Sequence, residues 1–173
     1  MLYKMTYLSP LGEMLLSCDG EGLTGAWFVG QKYFAAGLDE NAIESEHEHL
    51  LSAVRWLDSY FSGKNPDFLP KIHAPASAFR TAVWEELLKI PYGETRTYGE
   101  ISALVARRMG KEKMSAQAVG GAVGHNRISV IIPCHRVLGA DGSLTGYAGG
   151  LDKKLALLRL EGLKLPDLTD KKN

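Results

Sequence analysis

Apolar and polar positions divide the chain into two differently patterned parts. Residues 2–7 are rich in aromatics and partly alternating, and Ser9-Pro10-Leu11-Gly12 punctuates them. Residues 13–18 form a second apolar run, Asp19-Gly20-Glu21-Gly22 a second turn signal, and residues 23–29 a third run. Short runs separated by tight turns predict an antiparallel meander, because such loops let successive strands pair directly. Residues 31–40 carry no clear period. Residues 42–61 then change to helical spacing, with Leu50, Val54, Leu57 and Phe61 on the stripe that would cover the sheet and Gly63 as the stop. Pro66, Pro70 and Pro75 mark an extended connector, in which Ile72-His73-Ala74-Pro75 crosses into a second unit. The pattern predicts an α/β domain over residues 1–75 and a second, mainly α domain over residues 76–173.

In the second part Ser77 caps a predicted helix containing Phe79, Val83, Trp84, Leu87 and Leu88, which Pro91-Tyr92-Gly93 ends. Thr97-Tyr98-Gly99-Glu100 has the capping-box pattern and opens a helix from Tyr98 to about Met109-Gly110. After the polar turn Lys111-Glu112-Lys113, Ser115 can cap a third helix running to about Val123. Two helices joined by a short turn make a helix-turn-helix candidate. The third helix reads Ala116-Gln117-Ala118-Val119-Gly120-Gly121-Ala122-Val123-Gly124. Glycine inside a helix costs roughly 1 kcal/mol relative to alanine, so the adjacent pair needs a reason. Either another backbone packs closely against it, or the helix itself enters a narrow space. Major-groove readers use long polar side chains, and Gln117 is the only one in this stretch.

Residues 129–132 predict a buried strand leading into Pro133-Cys134, and Val137-Leu138 continue it to the turn signal Asp141-Gly142. Gly146-Tyr147-Ala148-Gly149-Gly150 is glycine-rich but lacks the Gly-Lys-Ser/Thr ending of a nucleotide-binding loop, so a loop closing over a flat ligand fits better. The last predicted helix spans about residues 151–161, with Leu151, Leu155 and Leu158 on one face, Gly162 as the cap and Leu163 as its apolar partner. Glu161 stands at that C-terminus, where the helix dipole disfavours a negative charge. It therefore needs a partner, and a histidine is the candidate.

Charge sharpens this division. The 173-residue chain has no net charge, yet residues 1–75 hold five Lys/Arg against ten Asp/Glu, and residues 76–173 fifteen against ten. The second part could therefore approach phosphates. No apolar run reaches membrane-span length, and the N-terminus lacks the pattern of a signal peptide. Two cysteines, Cys18 and Cys134, cannot build a disulfide framework, so a cytoplasmic location is expected. His47 and His49 lie two apart among glutamates and point to different helix faces, which reads as solvated surface rather than a metal site.

The chemistry concentrates in Ile131-Ile132-Pro133-Cys134-His135-Arg136-Val137. A thiol beside a potential base and a permanent cation meets the conditions that lower a cysteine pKa. Free cysteines are among the most buried residues, so a structural role is the competing reading. The charged neighbours on an apolar segment favour a nucleophile. Cys18 ends a strand with no base nearby and reads as structural.

Pro133-Cys134-His135-Arg136-Val137 resembles the signature of the O6-alkylguanine-DNA alkyltransferases (methylated-DNA–protein-cysteine methyltransferases). The resemblance extends in order over Thr97-Tyr98-Gly99-Glu100, Ala118-Val119-Gly120-Gly121-Ala122, Asn126, Gly146-Tyr147-Ala148-Gly149-Gly150 and Leu157-Leu158-Arg159-Leu160-Glu161-Gly162. It implies a ribonuclease-H-like N-terminal domain and a winged helix-turn-helix-like C-terminal domain. It also implies a single-use transferase that flips an alkylated base out of double-stranded DNA and moves the alkyl group from O6 of guanine, or O4 of thymine, to Cys134. His135, oriented by Glu161, would activate the thiol through a water. Asn126 would order the turn beside it, and Tyr98 would push on the target phosphate. Val137, Tyr147, Ala148 and the main chain at Cys134 would line the alkylguanine pocket, with Tyr98 beside it. Ser115, Ala116, Gln117, Ala118, Gly121 and Arg136 would meet DNA, with the recognition helix in the minor groove. No cofactor, metal or membrane partner is implied, and the chain would act as a monomer. One departure stands out: Gln117 occupies the place of the family's usual arginine finger.

Two other classes compete. A binding-only relative would recognise lesions without transfer, but such relatives lack the cysteine. A Cys-His hydrolase would usually draw its two residues from distant parts of the chain, and no oxyanion motif is evident.

Overall fold

Ser9 and Gly12 pair across a two-residue loop and close the first hairpin, with Ser9 Oγ accepting from Leu11 N at 3.1 Å. Strands β1 (Tyr3–Ser9), β2 (Gly12–Cys18) and β3 (Leu23–Phe28) form the expected antiparallel meander. A fourth strand, β4 (Ile43–Glu44), joins the far side of β1 in parallel, giving the order β3-β2-β1-β4. The computed structural model describes residues 1–166. They divide into two units, Met1–Pro75 with Arg127–Ile131, and Ala76–Asn126 with the chain from Ile132 onward.

In the first unit, helix α1 (Glu48–Phe61) begins later than the hydrophobic spacing predicted. Residues 43–45 are drawn into the sheet instead, where Ile43 N donates to Leu2 O and Ser45 N to Lys4 O. His47 caps the helix by accepting from His49 N. The buried stripe is Leu50, Ala53, Leu57 and Tyr60, with Trp56 beside it, while Val54 and Phe61 are only half-buried. The large rings of Trp56 and Tyr60, stacked at 5.3 Å, rotate the helix towards themselves because they remove more apolar area from water. Connector residues run along the start of β3, with Leu23 N on Lys71 O and His73 N on Leu23 O. His73 lies between Asp19 (2.6 Å) and Glu21 (3.1 Å) and pins the turn between β2 and β3. Cys18 is fully buried, and burial together with Asp19 pushes its thiol up to about 11, as suits a structural cysteine.

The predicted strand over residues 129–132 is not formed. Ile128 makes one isolated bridge to Ala26, and a turn follows in which Ile131 N donates to Ser129 O. Val130 sits at φ +73°, a conformation that β-branched residues rarely adopt and that an extended strand excludes. Apolarity reported the burial of this segment correctly; Val130, Ile131 and Ile132 are all at most 2% exposed. It could not distinguish a buried turn from a buried strand.

The second unit is built on three capped helices. Ser77 caps α2 (Ala78–Leu88), Thr97 caps α3 (Tyr98–Arg108) and Ser115 caps α4 (Ala116–Gly124), each through its hydroxyl oxygen. Their apolar faces meet around Val83, Leu87, Ile101, Val105 and Val119, all fully buried. Trp84 Nε1 donates to Ala122 O at 3.1 Å, fixing α2 against α4. Strands β5 (Arg96–Thr97) and β6 (Val137–Leu138) pair in parallel, tying the entrance of α3 to the chain that follows Cys134. Helix α5 (Leu151–Leu160) closes the unit, packing Leu155 and Leu158 on Leu138 and Leu144. Gly162, at φ +94°, ends it, and Leu163 N reaches back to Leu158 O. Among the described residues no helix is long and apolar enough to cross a membrane.

The paired glycines of α4 are not there for internal packing. A Cβ built on Gly121 meets nothing within 4 Å, and on Gly120 only the Tyr98 ring at 4.0 Å. Gly121→Ala should therefore raise folding stability by about 0.5–1 kcal/mol, the ordinary helix-interior difference. A denaturant titration of both forms measures it, and a destabilised variant would mean that something inside the protein requires the glycine.

Candidate active site

Every residue that carries the candidate chemistry belongs to the second unit. Cys134, His135 and Arg136 form one turn of 3₁₀ helix directly after Pro133, not the extended strand expected, and all three are buried. The thiol is set by Asn126, which follows α4. Its Nδ2 donates to Ile132 O at 2.9 Å and to Cys134 Sγ at 3.2 Å, so one amide shapes the turn and holds the sulfur. Cys134 N donates to Ile132 O at 2.8 Å and tightens the same turn.

His135 Nε2 lies 2.7 Å from Glu161 Oε2, with both side chains fully buried. Glu161 thus has the partner that its place at the end of α5 required. It has others: Arg136 Nε donates to Oε1 at 2.8 Å and Nη2 to Oε2 at 3.2 Å, and Gly93 N donates to Oε1 at 2.8 Å. Burial alone would raise the carboxyl, but His135, Arg136 and Gly93 outweigh it and bring Glu161 down to about 2. Burial pushes the His135 pKa down, against the pull of Glu161. A neutral imidazole facing a carboxylate must carry its proton on Nε2, which leaves Nδ1 as the basic nitrogen.

Arg136, expected to meet DNA, is turned inward. Its guanidinium is spent on Glu161 and on Ile90 O (2.8 Å), and the residue is 7% exposed. The expectation that basic neighbours lower the Cys134 pKa also fails. Burial raises the thiol, and the groups opposing this are Asn126 and Lys154 rather than His135 or Arg136. The charge of Arg136 is neutralised by Glu161, so little remains for the sulfur.

Lys154 is the site residue that the sequence reading missed. It is fully buried, and its Nζ donates to Val137 O (2.6 Å), Thr145 O (2.8 Å) and Gly146 O (3.2 Å). Burial lowers it to about 8, opposed by Cys134. The signal was present: Lys154 lies three residues after Leu151 and four before Leu158, a cation on an otherwise apolar helix stripe. It ties β6 to the glycine-rich loop, and its positive charge favours the Cys134 thiolate. Lys154→Met should slow any reaction of the Cys134 thiolate about a hundredfold, the scale of losing one preorganised charged donor. Rates of alkylation by iodoacetamide across pH would show it as a rise in the apparent thiol pKa; an unchanged profile would remove Lys154 from the site.

The glycine-rich loop stands over this cluster. Tyr147 meets the His135 ring edge-on at 6.5 Å, and Ala148 is half-buried beside it in sequence. Tyr98, at the start of α3, donates its hydroxyl to Thr145 O at 3.2 Å. Ser115, Ala116, Gln117, Ala118 and Gly121 are all exposed along one side of α4. Val137 is fully buried in β6. The structure thus brings Cys134, Asn126, His135, Glu161, Val137, Tyr147 and Tyr98 into one unit, and leaves a smooth helix face of small residues open.

These features define a class: a helix-turn-helix unit carrying a buried cysteine with a His-Glu pair behind it. Comparison with known proteins identifies the family. The model for the 6-O-methylguanine DNA methyltransferase ribonuclease-like domain matches residues 2–71, and that for the DNA-binding domain of the same proteins matches residues 78–163. The methylated-DNA–protein-cysteine methyltransferase of Methanosarcina acetivorans is 45% identical over 162 residues, 93% of this chain and 99% of the relative. The crystal structure of the Mycobacterium tuberculosis O6-methylguanine methyltransferase superimposes with a TM-score of 0.79 at 41% identity, covering 98% of each chain. The Mycobacterium tuberculosis OGT in complex with DNA gives 0.79 at 40% identity over 92% of each. The chain belongs to the O6-methylguanine-DNA methyltransferase family.

Proposed function

We propose that this protein reverses alkylation damage in double-stranded DNA by moving a methyl or larger alkyl group from O6 of guanine, and from O4 of thymine, onto Cys134. The observation that carries this reading is the buried thiol held by Asn126, in one unit with a His135–Glu161 pair at 2.7 Å. His135 Nδ1 takes the thiol proton, through a bridging water, and the thiolate attacks the alkyl carbon. The carbon–oxygen bond breaks, a carbon–sulfur bond forms, and the base leaves as the guanine anion, which takes up a proton. A thioether is no leaving group, so each molecule acts once. A triad of this kind needs the carboxylate to fix the imidazole tautomer, and Glu161 is bonded for that task.

Cys134 is 4% exposed, so a base stacked in a duplex cannot meet it and the target nucleotide must be flipped out. The open face of Ser115, Ala116, Gln117, Ala118 and Gly121 is suited to a narrow minor groove, with Gln117 filling the place of the extruded base. Tyr98 acts on the target phosphate, and Val137, Tyr147 and Ala148 line the pocket for the base. Residues 76–173 are the DNA-binding and alkyl-acceptor domain and residues 1–75 its ribonuclease-H-like companion. The protein acts as a monomer. A reaction that consumes a reduced thiol suits the cytoplasm.

Gln117 lacks the charge of an arginine finger. Gln117→Arg should bind lesion duplex several-fold more tightly and steepen its salt dependence by about one counterion. Fluorescence anisotropy at several salt concentrations reads both, and identical salt slopes would place residue 117 away from the phosphates. The function itself is tested by titrating a duplex carrying O6-methylguanine against the protein. Lesions removed should plateau at one per molecule; continued turnover, or none removed, would overturn the reading.

A further inference from the structure

On the second unit, a groove of about 430 Å³ runs between the end of α2, β5 and the outer side of α3. Its lining is unlike a merely solvated helix face. Ile90 and Ile101 are buried, and Leu104, 36% exposed, leaves part of its side chain open to water. Around this apolar floor stand four cations, Lys89, Arg96, Arg107 and Arg108.

The acidic groups nearby are already engaged. Glu86, 7% exposed, is shared by Lys89 (3.3 Å) and Arg108 (3.4 Å), and Arg108 also holds Glu85 at 2.8 Å. Arg96 meets Glu94 only at 3.5 Å and otherwise donates to its neighbour's carbonyl, Thr95 O, at 2.8 Å. Arg107 has no ion pair among the described residues. Positive charge therefore remains at the rim, on Arg96 and Arg107, above an apolar floor.

We propose that this groove binds an acidic peptide segment of another protein, one carrying an aliphatic side chain between its carboxylates. The aliphatic side chain fills the floor at Ile90, Ile101 and Leu104, and the carboxylates meet Arg96 and Arg107. Arginine is the residue suited to such bidentate pairing. The volume is in the range of pockets that enclose a side chain or small ligand. A DNA backbone fits less well, since it has no projecting aliphatic side chain to fill the floor. One end of the groove, at Ile90 and Arg96, adjoins Arg136 and β6. The other end is set apart from the proposed acceptor chemistry: Tyr98 opens α3, whereas Arg107 lies nine residues later, about 13 Å along the axis. The proposal rests on the groove alone and stands whether or not Cys134 is an alkyl acceptor.

The test uses the full chain and a fluorescein-labelled peptide of alternating Asp/Glu and Leu, with an all-acidic peptide of equal charge as control. The Leu-bearing peptide should bind with micromolar Kd, at least tenfold more tightly than the control. Arg107→Gln and Leu104→Ser should each weaken it about tenfold, while the rate of O6-methylguanine removal stays unchanged. Amide chemical-shift changes on titration should map to α2, β5 and α3. Equal affinity for both peptides, no binding at millimolar concentration, or affinity untouched by both variants would overturn the proposal. Displacement of the peptide by an undamaged duplex would also overturn it, by assigning the groove to DNA.

Discussion

Cys134→Ser is expected to bind a duplex carrying O6-methylguanine as tightly as the parent and to remove none of the lesion. The hydroxyl is close enough in size to accept the Asn126 hydrogen bond that the sulfur accepts at 3.2 Å, so the turn over Pro133–Arg136 should survive. What is lost is the nucleophile. Burial already holds the thiol above its ordinary pKa, and only Asn126, Lys154 and a backbone hydrogen bond pull the other way. A hydroxyl is far weaker in the same surroundings. Transfer should fall by about 10⁴-fold or more, as when a nucleophile is removed from a triad. Parallel anisotropy and lesion-removal assays separate binding from chemistry. Removal at the parental rate by the serine variant would exclude Cys134 as the acceptor.

The second large effect is expected from Glu161→Gln. Glu161 pairs with both His135 and Arg136, and its side chain is fully buried. The amide fills the same space but leaves the Arg136 guanidinium buried without a counter-charge. Breaking a buried pair in this way costs about 3–5 kcal/mol. It also frees His135 to adopt either tautomer, so alkyl transfer should drop by about 10³–10⁴-fold even in molecules that remain folded. Urea unfolding measures the first effect and single-turnover repair the second. A variant with parental stability and rate would contradict the arrangement.

The parent protein carries a pH test of the same pair. The Glu161 carboxyl lies at about 2 in the folded protein against an ordinary 4.5. A depressed carboxyl contributes stability that is complete above the unfolded pKa and is lost as pH falls through the folded one. At about 1.4 kcal/mol per pH decade the loss is about 3–4 kcal/mol, spread between pH 4.5 and 2. Lys154 acts in the opposite sense. Its folded pKa of about 8 lies below the ordinary 10.5, so the buried ammonium opposes folding at neutral pH and stability should rise between pH 8 and 10.5. A group that opposes folding and yet sits beside the thiol is more readily explained by chemistry than by stability.

The sequence made some levels of this structure legible and hid others, for physical reasons. Local signals were strong where one residue sets one geometry. Ser77, Thr97 and Ser115 carry the signature of caps and are caps; Gly162 carries that of a helix end and is one. The meander was visible because tight turns dictate pairing. Tertiary competition hid the rest. Residues 43 and 44 look helical but gain more by pairing with β1, and the position of the α1 stripe depends on where Trp56 and Tyr60 find room. The apolar run at 129–132 announced burial, but not the left-handed Val130 that breaks it.

At the site, the motif located Cys134, His135 and Glu161, and the dipole argument at the end of α5 demanded a partner for Glu161. It could not show that Arg136 turns inward to share that carboxylate, because an arginine beside a cysteine looks the same in sequence whichever way it points. Lys154 was hidden among the ordinary lysines of a helix, although its place on the apolar stripe marked it. The glycine pair of α4 illustrates a limit that only coordinates lift: sequence left packing and external contact open, and the empty space at Gly121 favours the second.

On the proposed mechanism a buried thiol, in a unit built for DNA, takes an alkyl group once and keeps it. The most direct test is to incubate the protein with a duplex containing O6-methylguanine, digest it, and weigh the peptide containing Cys134. The peptide should gain the mass of one methyl group, in proportion to the lesions lost, while the peptide containing Cys18 stays unmodified. Lesion loss without a methyl on Cys134, or duplex binding with neither, would contradict the account.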